Sequence, residues 1–137
     1  MCMKTVRSPD IEYFENVVAL LEQEGFALDC SKEHGTIRIT IAKGNLQTET
    51  RIKEHSSHAE VAEKIATAIK WWSSAISSRC ANKALQCGGY LEFSEKYPSA
   101  LAVCNEIDKT VKKLEVLRFR WYARTRAEVE KNNLASH

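Results

Sequence analysis

Residues 99–132, SALAVCNEIDKTVKKLEVLRFRWYARTRAEVEKN, run without a Gly or Pro and carry apolar residues at helical spacing. Val103, Ile107, Val111, Leu114, Leu117 and Trp121 fall on one side when residues are laid out at about 100° steps. The stretch therefore reads as one long α-helix. At about 1.5 Å per residue it would extend roughly 50 Å. A compact domain of this chain length has a radius of gyration of about 14 Å. Such a helix must kink, project past the body or pack against a partner, and the rest of the chain has to fit around it.

A chain of 137 residues suits a single domain with a real core. With 44% hydrophobic and 28% charged residues, five Gly and two Pro, it has a globular rather than a disordered composition. The formal net charge of +2 is too small to imply a polyanion partner by itself. Its distribution says more. Residues 1–55 hold seven bases and nine acids, residues 56–98 five and four, and residues 99–137 eight and five, so the positive excess sits in the long helix. The opening MCMKTVRSPD lacks the apolar run of a secretory signal. No stretch approaches the eighteen or so apolar residues of a membrane span. Five scattered cysteines, an odd number, read as reduced and mostly buried thiols, and the expected location is cytoplasmic.

Upstream, Ser8-Pro9-Asp10 is a helix start: Ser caps, Pro is preorganised for the first turn, and Asp meets the positive end of the dipole. Ile11, Phe14, Val18 and Leu21, widened by Val17 and Leu20, form its predicted apolar stripe, and Gly25 is its stop. Phe26, Leu28 and Cys30 suggest a short strand, followed by a turn over Ser31–Gly35. Thr36–Ala42 alternates Ile37, Ile39 and Ile41 with polar residues, a strand pattern. Lys43-Gly44-Asn45 is hairpin chemistry, and Leu46–Lys53 is the return strand with Leu46, Thr48, Thr50 and Ile52 facing in. Ser57-His58-Ala59-Glu60 is a capping box opening a helix that carries Val61, Ile65, Ile69, Trp72 and Ile76. That helix is expected to end near Ser78, where paired serines weaken propensity.

The predicted fold class is α+β. Residues 9–78 form an α-β-β-β-α unit, a three-stranded antiparallel sheet covered by helices on one face. Residues 79–98 are expected as an irregular connector, and residues 99–132 as the long C-terminal helix, all within one domain. The element order of residues 9–78 resembles that of double-stranded-RNA-binding domains. Those domains place a Lys-rich cluster at the start of the second helix. Here the matching stretch is Ser56-Ser57-His58-Ala59-Glu60, which is not basic, so the likeness is one of element order alone.

The candidate functional residues lie mainly on the long helix. Lys109, Lys113, Arg120, Arg124 and Lys131 share one ridge beside the apolar stripe. A basic ridge can dock phosphates or an acidic protein patch, and it can equally be a solvated helix edge. Val116, Phe119 and Tyr122 fall off the main stripe, so the segment around Leu114–Tyr122 is apolar on more than one side. Burial there requires either other parts of the chain, a partner protein or a second copy. Trp71 lies 100° or so from Trp72 and off the core stripe, which makes it an anchor candidate. His55-x-x-His58, Cys80 and Cys87 do not match the close ligand pairs of structural zinc, and no cofactor is implied. No nucleophile elbow, phosphate-binding glycine loop or metalloprotease motif is present. The expected function is non-enzymatic protein binding, as an inhibitor, adaptor or accessory factor, through Lys109, Lys113, Phe119, Arg120, Tyr122, Arg124, Lys131 and Trp71. Nucleic-acid binding through the basic ridge is the alternative, a small enzyme the third, and a homodimer is a further way to cover the helix.

Overall fold

A computed structural model describes residues 8–135, leaving aside the side chains of Tyr90 and Ala135. Helix α1 spans Pro9–Gln23. Ser8 caps it as expected, its Oγ accepting from the Ile11 N–H at 3.2 Å. The buried face differs from the expected stripe. Tyr13, Val17 and Leu21, at steps of four, are buried, while Ile11, Phe14 and Val18 are only half-buried beside them. A hydropathy stripe undervalues Tyr13, whose ring can be buried because its hydroxyl finds a partner.

Strand β1 spans Ala27–Glu33, β2 Thr36–Lys43 and β3 Leu46–Lys53, in the antiparallel order β1-β2-β3. The turn expected over Ser31–Gly35 contracts to His34-Gly35, because Ser31, Lys32 and Glu33 pair with Arg38, Ile37 and Thr36. Both turn residues have positive φ, 45° and 79°, the requirement of a tight two-residue hairpin. The second hairpin turns on Gly44-Asn45, with the positive φ of 60° at Gly44. Leu28, Ile41 and Thr48 align across the sheet, as do Cys30, Ile39 and Thr50, and Lys32, Ile37 and Ile52. This is the helix-covered face, and Ile39, Ile41 and Ile52 are buried on it.

Helix α2 spans His58–Cys87, a full 30 residues, and does not end near Ser78. Ser57 caps it through the Glu60 N–H at 3.2 Å. Serine weakens a helix by only about half a kcal/mol per residue, and here tertiary packing outweighs that: Ser73, Ile76 and Ala84 are all buried. The stop is Gly88, at φ 100°. The Gly88 and Gly89 N–H groups return to the carbonyls of Leu85 and Ala84, the two bonds of a Schellman cap. Helix α3, Tyr90–Lys96, follows and buries Phe93. The expected irregular connector over residues 79–98 is therefore helical apart from short breaks.

Helix α4 spans Pro98–Ala135, 38 residues, or about 57 Å at the standard rise. Its side-chain pairs set its direction. Lys113 pairs with Glu24 and Arg124 with Glu12. Arg118 pairs with Glu63, and Cys104 meets Ser77 at 3.4 Å. Along α4, then, α1 and α2 are both met in reverse, so α1 and α2 run parallel to each other and α4 antiparallel to both. Ile107, Thr110 and Leu114 are buried in this seam, joining Val17, Leu21, Ile65 and Ile69 in one core with the sheet. Lys43 fastens the end of β2 to the helices: it sits over the Phe26 ring, donates to the Glu24 carbonyl and pairs with Glu106 at 3.3 Å. Since Ile107 is fully buried at the centre of the seam, Ile107→Ala should lower unfolding stability by about 2–5 kcal/mol. Urea titration checks this, with the midpoint falling while the slope stays unchanged.

Candidate functional site

Three helices meet around Glu63. The Tyr13 hydroxyl donates to Glu63 Oε1 at 2.7 Å, and Arg118 Nε donates to the same oxygen at 3.0 Å. Arg118 Nη2 also donates to the Tyr122 hydroxyl at 3.1 Å. The Tyr13 ring stacks on Trp121 with centroids 4.8 Å apart, and Trp121 Nε1 donates to Asp10 at 2.9 Å. Burial, and then the hydrogen bond and charge of Glu63, push the Tyr13 hydroxyl well above the ordinary tyrosine value. Tyr13 thus remains a neutral donor, and the cluster braces α1, α2 and α4 against one another. Sequence pattern does not reveal this cluster, because Glu63 lies 50 residues from Tyr13 and 55 from Arg118.

The basic ridge faces α1. Lys113 and Arg124 are engaged by Glu24 and Glu12, so two of its five charges are spent inside the chain. Lys109, Arg120 and Lys131 are exposed and form no ion pair among the described residues. Phe119 is 68% exposed, and its neighbour one turn back, Val116, 50%. Val116, but not Phe119, lines a groove of about 410 Å³ between α1 and α4, together with Asn16, Ala19, Leu20, Leu117 and Arg120. Tyr122 belongs to the opposite side of α4. Its ring lies 4.8 Å from Trp121 and its hydroxyl accepts from Arg118, which keeps it part of the brace although it is 47% exposed.

Trp71 stands apart from the α4 ridge. It is 71% exposed on α2, with a small groove toward Val111, Leu114 and Arg118 on one side. On the other lies a larger groove toward Gln47–Thr50 of β3. Of the expected partner residues, Lys113 and Arg120 line the α1–α4 groove and Arg124 pairs with Glu12 of α1. Tyr122 joins the Glu63 brace and Trp71 stands at the α2–β3 margin, while Lys109, Phe119 and Lys131 are exposed outside these places. Of the α1 contributors, Leu20 reads from sequence only as part of the apolar stripe, and Asn16 and Ala19 carry no signal, since the groove exists only once α4 lies antiparallel to α1.

Cys30, Cys80, Cys87 and Cys104 are free thiols, and Cys2 lies outside the described residues, as does most of the stretch read for a secretory signal. Cys30 is exposed rather than buried, because it lies on edge strand β1, where only Leu28 is half-buried. Burial beside Cys104 pushes the Cys80 thiol up. Among the described residues no group of three or more His, Cys, Asp or Glu is placed to hold a metal ion. Within them, no helix is long and apolar enough to cross a membrane. Comparison with family models, curated proteins and solved structures finds no match for this chain.

The raised Tyr13 value has a definite sign in stability. The unfolded chain releases the Tyr13 proton at the ordinary tyrosine pKa of about 10, while the folded chain retains it. Stability is complete below that pH and falls as pH rises above it. In a tyrosinate absorbance titration, Tyr13 should ionise only as the fold is lost, and Tyr13→Phe should remove that part of the alkaline destabilisation.

Proposed function

We propose that this protein is a non-catalytic protein-interaction module, an inhibitor, adaptor or accessory factor, whose partner docks on the flank of α4 and the groove against α1. The observation that carries this reading is exposed Val116 lining that groove beside the uncommitted Arg120, with Phe119 exposed on the next turn of α4. A groove between two antiparallel helices suits a third helix, packed with its apolar face inward. The occupant we assign is an amphipathic helix of a partner protein, bearing an acidic residue to meet Arg120. The acids of α1, Glu12 and Glu24, argue for this over nucleic acid, since they flank the same ridge and already engage Lys113 and Arg124. A phosphate backbone on this ridge would meet those carboxylates.

The test is quantitative affinity purification from the source cells with wild type and a Val116→Asp, Phe119→Asp variant. A single enriched protein should be lost by about thirtyfold, the effect of removing an apolar hot spot, with the melting temperature unchanged. Equal recovery by both proteins refutes the surface. A nucleic-acid complex that weakens steeply with salt would transfer the role to the basic ridge instead.

A further inference from the structure

Strand β3 is an open edge, paired to β2 on one side only. Its two-residue hairpin makes Lys43 and Leu46 the hydrogen-bonded closing pair. Alternation along the ladder then turns the N–H and C=O groups of Gln47, Glu49, Arg51 and Lys53 away from β2. Among the described residues, Gln47, Glu49 and Arg51 form an open hydrogen-bonding row, which ends where the Lys53 carbonyl accepts from the Ser56 N–H at 3.1 Å. An edge of this length normally carries protection, such as a charge pointing toward the covered face. The opposite edge has it: Lys32 of β1 lies on the helix-covered side, opposite Ile37. On β3 the same side carries only Leu46, Thr48, Thr50 and Ile52.

We propose that β3 pairs with β3 of a second copy of this chain, antiparallel about a two-fold axis at Thr50, to give a six-stranded sheet. The charges select both the occupant and the register. Centred on Thr50, Glu49 lies opposite Arg51 of the second copy, and Arg51 opposite its Glu49. On the covered side Thr48 lies opposite Ile52. Sliding by two residues one way sets Glu49 against Glu49, and the other way sets Arg51 against Arg51. Only the central register makes two opposite-charge pairs with no like-charge pair directly opposed. Glu49 is oriented for this role by Arg38 on β2, which lies 3.8 Å from it. The two-fold stands normal to the sheet, so both helix layers fall on one side and α2 approaches its copy. There the groove of about 570 Å³ between β3 and α2 brings Trp71, Thr67 and Ala75 to the contact, adding apolar cover to the strand pair.

This interface is independent of the α1–α4 groove, and charge exchange tests it. Light scattering over a concentration series should give twice the 15.5 kDa chain mass for wild type. Glu49→Arg alone opposes two arginines, and Arg51→Glu alone opposes two glutamates. Each should weaken dimerisation by about tenfold or more. Mixing the two single variants recreates both attractive pairs and should restore a dimer between them, as should the double variant with itself. Restoration on mixing also shows that each variant is folded. Hydrogen exchange on wild type should find the Glu49 and Arg51 amides protected only as concentration rises. A wild type that stays monomeric to its solubility limit overturns the proposal. So does a dimer indifferent to both swaps, or one lost instead in the Val116→Asp, Phe119→Asp variant.

Discussion

The fold depends on the burial of one side of α4 between two helices that run parallel to each other. Ile107, Thr110 and Leu114 are almost fully enclosed, and each is covered only because α1 and α2 both lie against α4. Ile39 and Ile41 of the sheet join Val17 and Ile69 of the helix pair in one core, and the far side of that pair is apolar. The long helix closes that side. Charge then fixes its direction: acids on α1 and α2 meet bases of α4 in reverse order, and a parallel placement would separate every one of those pairs.

Much of this was legible in the sequence where local rules act alone. Ser8 and Ser57 cap the helices they precede, Gly44 carries the positive φ of its hairpin, and the Ile37–Ile41 alternation faces the core. The reading failed where a distant contact overrode a local preference. Paired serines looked like the end of α2, yet Ser73 is buried and the helix runs on to Gly88. Ser31–Glu33 looked like a turn, yet ladder pairing to β2 keeps it extended. Tyr13 lay outside the predicted apolar stripe, yet it is buried with its hydroxyl on Glu63.

The candidate surface was legible in outline and not in its division. Helical spacing placed Val116, Phe119 and Tyr122 off the core stripe, but it could not tell which neighbour each would meet. The structure draws Tyr122 into the Glu63 brace, leaves Val116 open beside α1 and leaves Phe119 exposed on the next turn. The basic ridge was visible as a pattern, while its meaning depended on the acids of a helix some ninety residues away, as the 89-residue separation of Lys113 and Glu24 makes plain. Likewise Trp71 was recognisable as displaced, but its position between two grooves follows from packing alone.

The closing role of α4 also has a consequence in time. On the ribosome the αβββα portion emerges before the 38 residues that complete it. At about 5–20 residues per second, α4 takes roughly 2–8 s to synthesise. Throughout that interval the inner faces of α1 and α2 are made but uncovered, and Tyr13 has neither Trp121 nor Arg118 beside it. The nascent chain thus passes through a stage in which the seat of α4 stands exposed.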